Sequence, residues 1–372
     1  MVAGEASGDL LASLLLAGMK QRWPALQAAG IGGPRMAAQG FTAWWPHDKL
    51  AVRGYVEVLR HYRGISAIRD ALATRLLAER PAAFIGVDAP DFNLGLERRL
   101  KSAGIKTIHF ICPSIWAWRG GRARKMAASC DHVLCLFPFE PELLRSHGVA
   151  ATYVGHPLAD AIPLVPPRAQ ARAALGMAEG DAVVALLPGS RRSEIQAIAP
   201  AFLQAAALLH RQRPSLRFVM PVAPGLRPLV EPLLAAHARG LPLQVLDGRS
   251  HEVLAACDVT LIASGTATLE AALFKRAMVI GYRMNPLTWA IMKRLRYQPW
   301  VGLPNILCRD FVVPELIQED CRPVALAAAV AAWLDDAAGR DALARRFDDL
   351  HHLLRRDTAR CATDAIAQVL QP

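Results

Sequence analysis

The chain has 372 residues, of which 53% are hydrophobic and 20% charged: enough apolar material for more than one core, and too much for intrinsic disorder. Its longest apolar run, VALAAAVAAWL at 324–334, is about half of the ~20 residues a spanning helix needs, and no basic region precedes the first apolar stretch, so neither a transmembrane anchor nor a secretory leader is expected. A net charge of +11 points to a polyanionic partner, either nucleic acid or an anionic membrane face, or to an arginine-rich proteome and nothing more. The seven cysteines are odd in number and form no C-x-x-C pair, so reduced, mostly buried thiols of a cytoplasmic protein are expected, with no zinc site.

In chain order, VAGEASGD at 2–9 reads as the end of a buried strand and a turn bracketed by Gly4 and Gly8. This is not the dinucleotide fingerprint G-x-G-x-x-G, and Glu5 and Asp9 would repel a pyrophosphate. Asp9 suits a helix's first turn. Glu5 beside the turn suits a neutral, hydroxyl-rich group such as a sugar ring. A helix follows over 8–22, and another over 55–79. In the latter Val56, Leu59, Tyr62, Ile65, Ile68 and Leu72 recur at helical spacing, with Arg60, Arg63 and Arg69 on other faces. Such a helix either lies in a membrane interface or packs on a core.

Strands are predicted at 82–88, 105–111, 132–137 and, more weakly, 151–154, with helices at 91–103, 119–129 and 139–146 between them. DAPDFN (88–93) ends the first of these strands. Asp88 stands at its carboxyl end with an apolar strand behind it, which suits a general base, whereas Asp91 after Pro90 reads as a helix cap. PSIWAWRGGRARK (113–125) interleaves two tryptophans with Arg119, Arg122, Arg124 and Lys125, a pattern open to nucleic acid or to a phosphorylated lipid headgroup. IPLVPPRAQ (162–170) reads as a linker.

A second block has strands at 182–188, 216–221, 243–246, 259–263 and 278–282. Its helices fall at 191–212, 225–238, 250–256, 265–274 and 285–295, and an all-helical stretch follows from about 323. LLPGSRRSEI (186–195) is strand, turn and helix start. The N–H groups about Gly189, the Ser190 hydroxyl and the Arg191 cation suit an anion. ASGTATLEAALF (263–274) repeats the device with Ser264, Gly265, Thr266 and Ala267, and Glu270 one turn further in can accept two ribose hydroxyls. Two such helix starts in one half-chain suggest a nucleotide diphosphate. MNPLTWAIMKRLRYQPW (284–300) mixes aromatics and cations. No D-x-D occurs, so leaving-group charge would be met by helix N-termini and arginine rather than a bridging metal. The histidines show no metal-ligand spacing, and His351–His352 reads as solvated surface. The fold class is α/β: two Rossmann-like, doubly wound domains facing a ligand cleft. The expected boundaries are 1–162 for the first domain and 163–340 for the second, with 341–372 crossing back to the first.

GEASGD (4–9), DAPDFN (88–93), PSIWAWR (113–119), GHPLAD (155–160), LLPGSR (186–191), ASGTATLE (263–270) and LPN (303–305), in that order, resemble the lipid-A-disaccharide synthase family across nearly the whole chain. The resemblance implies a GT-B glycosyltransferase, peripheral on the cytoplasmic face of the inner membrane of a Gram-negative cell. It would join UDP-2,3-diacylglucosamine to 2,3-diacylglucosamine 1-phosphate through an inverting β-1,6 transfer and release UDP. Asp88 matches the family's proposed base for the acceptor hydroxyl. Arg191 and the 265–270 turn match its UDP-binding elements, and Asn305 is expected near the nucleotide. Glu5, Ser7, Gly8, Asn93 and His156 are expected on the substrate side, and Arg119 or Arg122 at the acceptor phosphate. No cofactor, no metal and no nucleic-acid partner are expected; a homodimer is compatible with this reading. Family members carry a full first strand before GEASGD, where this chain has three residues. The expectation is a start assigned too late, which the intact mass of the native protein tests.

The rivals are another GT-B UDP-sugar enzyme, either a peptidoglycan lipid-precursor GlcNAc transferase or a UDP-GlcNAc 2-epimerase, and a basic nucleic-acid-binding module. PSIWAWR and DAPDFN separate the first two from the disaccharide synthase, and the paired phosphate turns argue against the third.

Overall fold

The computed structural model describes residues 1–46, 50, 55–116, 121–295 and 297–371. Two compact units divide the chain. One is Met1–Ala161 with Leu354–Pro372, the other Ile162–Leu353.

The first unit holds β1 (Val2–Ala3), β2 (Ala29–Gly32), β3 (Thr42–Pro46), β4 (Ala83–Val87), β5 (Lys106–Phe110), β6 (His132–Cys135) and β7 (Ala151–Tyr153). They form one parallel sheet in the order β3-β2-β1-β4-β5-β6-β7. The second unit holds β8 (Val183–Leu187), β9 (Arg217–Val222), β10 (Leu243–Asp247), β11 (Val259–Ile262), β12 (Ala277–Tyr282) and β13 (Glu315–Ile317), also parallel, in the order β10-β9-β8-β11-β12-β13. Helices cover both faces of such sheets, which is why the central strands are continuous apolar runs: every residue of VVALL in β8 and VTLI in β11 is buried. Both units are doubly wound. Strand order reverses between β1 and β4 in one and between β8 and β11 in the other, and ligands of open α/β sheets bind outside the carboxyl ends of strands at such points.

Three strands escape a reading by apolar runs: β2 (AGIG), β3 (TAWWP) and β13 (ELI) are short or glycine-rich. The proline-rich segment ends sooner than its composition suggests. Arg168–Ala174 is a helix entered from Pro167, and Arg172 within it is fully buried. There its guanidinium donates to the Asp258 carboxylate at 3.1 Å and to the Ala256 carbonyl at 2.9 Å. Residues 168–170 are thus the first turn of a core element, not linker.

The helix Tyr55–Glu79 forms where its periodicity places it. From Ile65 onward the apolar face is spent on the core: Ile65, Ile68, Leu72 and Leu76 pack with Val2, Ile31, Phe84 and Leu100. Over that stretch it cannot also lie in a bilayer, and the core reading holds. Residue 54 lies outside the described residues.

At the chain's other end, helix Thr358–Leu370 returns to the first unit and packs on helix Ala6–Arg22. The approach is close enough that a Cβ on Gly18 would stand 2.5 Å from the Ala359 Cβ. Asp160 receives the start of the returning helix, accepting from the N–H groups of Asp357 (3.0 Å) and Thr358 (2.7 Å). Five of the seven cysteines are buried and all are free.

Candidate active site

In the first unit the reversal of strand order brings together two motifs that are far apart in sequence. Val2 and Ala3 of β1 pair with Gly86 and Val87 of β4, so GEASGD and DAPDFN leave the sheet side by side. They touch: a Cβ on Gly4 would stand 3.1 Å from the Ala89 Cβ. Glu5 is the N-cap of helix Ala6–Arg22. Ser7 and Gly8 lie inside its first turn, so Gly4 alone bounds the turn and Gly8 does not. Asp9 serves a neighbouring element rather than its own helix: buried, it accepts from Gly33 N (2.8 Å), Arg35 N (3.0 Å) and Met36 N (3.1 Å), capping Pro34–Ala38.

Asp88 and Ala89 both adopt left-handed backbone, with φ of 51° and 44°. Conformations of this kind cost about 1–3 kcal/mol each in non-glycine residues and gather at functional sites. The turn is held from both sides: Asp88 N–H donates to Phe110 O at 3.0 Å, and the buried Asn93 amide donates to Asp88 O at 2.8 Å. Asn93 therefore supports the turn from below. Asp91 is not the cap, because Ala89 occupies that position. It reaches out to Arg122 at 2.6 Å, which engages one of the two candidate phosphate-binding cations. The other, Arg119, lies outside the described residues, as does the beginning of the helix expected at 119–129, which is observed as Arg122–Ser129.

Trp116 packs edge-on against Phe137 and Phe139, with centroids 6.3 and 5.6 Å away, and its indole N–H donates to Glu140 at 3.0 Å. Glu140 is buried, and desolvation pushes its carboxyl up from 4.5 to about 8. An acid kept protonated by the fold stabilises it below the ordinary carboxylate range and loses that contribution as pH rises through the folded value. Stability to heat should therefore fall between about pH 4.5 and about 8, and Glu140→Gln should flatten that fall. Thermal melts across this window check it, and a variant curve parallel to wild type would refute the assignment. His156 is buried beside Phe137, its ring pushed down to about 3 by desolvation and hence neutral. Its Nδ1 accepts from Leu158 N at 3.2 Å, so it caps Pro157–Ala161.

In the second unit Leu187 of β8 pairs with Ile262 of β11, so PGSR and SGTATLE also emerge together. Gly189 (φ 120°) makes room for a side chain the sequence reading overlooks: its Cβ would stand 2.5 Å from Glu194 Oε2. Glu194 is buried, accepts from Ser190 N at 3.1 Å and pairs with Arg191 at 2.9 Å. The Ser190 N–H is thus taken by a carboxylate, and this turn offers an anion less backbone than expected. Arg191 itself, the N-cap of Arg192–Gln212, keeps its side chain about half exposed.

At the other turn Gly265 (φ 146°) caps Thr266–Leu273, and the N–H groups of Thr266 and Ala267 are the open donors of a helix's first turn. Ser264 Oγ donates to Val301 O at 3.2 Å. Glu270 is partly buried with His251 Nε2 at 3.7 Å. Asn305, expected near the nucleotide, spends its side-chain amide on the protein. Fully buried, it donates to Val313 O and Glu315 Oε1, both at 2.9 Å, and accepts from Val313 N at 3.0 Å. Glu315 in turn accepts from Val301 N and Gly302 N. LPN thereby pins the backbone on which Ser264 rests. His351, expected on the surface, is buried against Lys275, and only His352 is exposed.

The family model for lipid-A-disaccharide synthetase matches residues 1–366. The lipid-A-disaccharide synthase of Albidiferax ferrireducens is 60% identical over 376 residues, covering 100% of this chain and 97% of the relative. That of Paraburkholderia phytofirmans is 55% identical over 373 residues, covering 100% and 96%. The chain belongs to the lipid-A-disaccharide synthetase family. Among solved structures, UDP-GlcNAc 2-epimerase from Neisseria meningitidis bound to UDP-GlcNAc aligns with a TM-score of 0.63 at 10% identity, covering 96% of each chain. A glycosyltransferase from Rickettsia africae aligns at 0.56 and 11%, covering 99% of this chain and 96% of that one. At such identities the likeness concerns the fold. With the two parallel sheets it makes this synthetase-family chain GT-B, two Rossmann-like domains with helices at the C-terminus.

Two buried groups at these sites were not singled out from sequence in this synthetase-family chain. One is Glu194. The other is a pair, Glu97 and His109, with Oε1 and Nδ1 2.7 Å apart and both side chains fully buried. An N3 glutamate and a strand histidine look ordinary in isolation; only the glycines opposite them, Gly189 and Gly86, leave a trace in the chain.

Proposed function

We infer that the chain is an inverting glycosyltransferase of lipid A biosynthesis. It joins UDP-2,3-diacylglucosamine to 2,3-diacylglucosamine 1-phosphate through a β-1,6 bond and releases UDP. Family membership along the whole chain carries the reaction, and in each unit the family's motifs meet at the point of strand reversal.

Within that reaction, the first unit serves the acceptor. Asp88 takes the proton of the attacking 6-hydroxyl, Glu5 and Ser7 stand on the adjoining turn for sugar hydroxyls, and Arg122 or Arg119 meets the 1-phosphate. The second unit serves UDP. Arg191 and the first-turn N–H groups at 265–267 meet the diphosphate, and Glu270 meets the ribose. Single-displacement inversion needs one base and a stabilised leaving group, and these residues supply both.

Among the described residues no helix is long and apolar enough to cross a membrane. Acylated substrates remain in a bilayer, so the enzyme works from its surface, on the cytoplasmic face of the inner membrane. The exposed Leu295 and Tyr297, next to exposed Lys293 and Arg294, supply apolar anchors and cations of the kind that bind anionic lipid.

A transfer assay tests the reading as a whole. With both acylated substrates in anionic vesicles, the protein should release UDP and form the disaccharide, and should sediment with the vesicles at low salt. UDP release without an acceptor, or epimerisation of UDP-GlcNAc, would refute it.

A further inference from the structure

Beneath the Asp88 turn lies a column of buried polar groups. His109 of β5 stands directly opposite Gly86 of β4 in the parallel ladder, two residues (about 7 Å) below Asp88. Asn93 and Glu97 project from one face of helix Pro90–Ser102, four residues apart, onto the same place. Gly86 leaves the space they fill: a Cβ there would stand 2.1 Å from Glu97 Oε1 and 3.0 Å from the Asn93 Cβ. All three side chains are fully buried. Oε1 of Glu97 and Nδ1 of His109 are 2.7 Å apart. The second polar atom of each side chain, Asn93 Oδ1, Glu97 Oε2 and His109 Nε2, has no partner among the described residues. A polar column of this kind in an α/β core costs stability, and apolar residues would fill the space at less expense. Such groups call for an explanation, and the turn above supplies one.

We propose that Glu97 and His109 form a positioning pair for Asp88: the imidazolium, anchored through Nδ1 by Glu97, sets a positive charge under the left-handed turn and holds the base in place for the acceptor hydroxyl. Asn93 links the pair's helix to the Asp88 carbonyl. The inference rests on reading Asp88 as the base. The charged groups facing His109 are Glu97 from the helix and Asp88 from the end of β4. Although burial disfavours the charged ring, those two carboxylates together raise its basicity. On the other side β6 presents Val133 opposite His109. Cys130, which faces Glu97, is kept a neutral thiol, chiefly by burial.

In the proposed pair His109 carries its second proton in the working enzyme, held by Glu97 through Nδ1 at 2.7 Å, and gives it up as the pH rises. The alkaline limb of kcat/KM should therefore report His109, and Glu97→Gln, which removes the balancing carboxylate, should move that limb to lower pH by one unit or more. At neutral pH kcat should fall about tenfold with KM within about twofold of wild type. His109→Gln should lose the limb altogether. Nitrogen-15 imidazole spectra of the intact protein give a readout independent of turnover: both His109 nitrogens protonated at pH 7 in wild type, one in Glu97→Gln. A neutral His109 at pH 7 in wild type would overturn the proposal. So would a Glu97→Gln enzyme whose limb stays in place, even if its melting temperature drops, since a purely structural pair would act that way. Asp88→Asn is run alongside. If it retains wild-type turnover, the reading of Asp88 fails. If it is inactive while the Glu97→Gln limb does not move, only the pairing fails.

Discussion

Replacing Asp88 by asparagine is expected to remove nearly all sugar transfer and leave the fold intact. A positioned general base contributes about 10²- to 10⁴-fold, and a primary hydroxyl gives up its proton too reluctantly for the displacement to proceed without one. Asparagine is the informative replacement because Asp88 sits at φ 51°. Asn and Asp both tolerate left-handed backbone, whereas alanine would add a conformational cost of about 1–2 kcal/mol to the chemical loss. The turn's fastenings survive the change, since they run through the backbone of Asp88: its N–H to Phe110 and its carbonyl from Asn93. The variant should bind UDP as wild type does and melt at the same temperature, with UDP release in the two-substrate assay down at least about 100-fold. Alanine should be equally inactive and slightly less stable. Wild-type turnover by asparagine would remove Asp88 from the mechanism, and equal loss of UDP binding would show that the damage is not local.

The apolar strands were legible because parallel sheets covered on both faces write themselves as unbroken Val, Ile and Leu. β8 (VVALL) and β11 (VTLI) come nearest that type, β4 and β12 are mostly apolar, and β5 (KTIHF) and β9 (RFVMPV) carry polar or proline interruptions yet still stand where the chain places them. Strand order was not legible, and it gives the motifs their meaning: GEASGD and DAPDFN are some eighty positions apart in sequence, yet Gly4 and Ala89 are in contact. β3 and β13 lack the pattern, β3 because it is an edge strand with half-buried tryptophans.

At the sites, residue type alone did not reveal where a polar group serves the protein itself. Asn305 looked like a nucleotide contact, but every polar atom of its amide is committed to Val313 and Glu315. His156, expected on the substrate side, is buried and neutral and spends its Nδ1 on a helix cap. Asp9 lies in the first turn of its own helix, as expected, but its carboxylate caps another helix, and Asp91, expected as a cap, pairs outward with Arg122. A cap, an ion pair and a ligand draw on the same few side chains, and only the position of the partner decides among them.

Arg191→Ala is expected to give the second large loss. As the β-phosphate leaves with UDP, negative charge grows on the diphosphate, and it must be met by donors already in place. Of the two helix starts, the one at 189–192 has already given its Ser190 N–H to Glu194, which makes the Arg191 guanidinium its fixed positive charge for the diphosphate. That guanidinium is braced by the same carboxylate at 2.9 Å, which orients its planar fork of donors. Removing one donor of this kind from a leaving-group site costs about 10²- to 10³-fold in kcat. Lysine should restore less than half of the loss on a logarithmic scale, since it keeps the charge and loses the planar fork. Competitive inhibition by UDP should weaken in parallel with the rate, because product and transition state share the contact. An alanine variant that loses rate but binds UDP as tightly as wild type would place Arg191 off the diphosphate. In that case the open N–H groups of Thr266 and Ala267 would have to hold it alone.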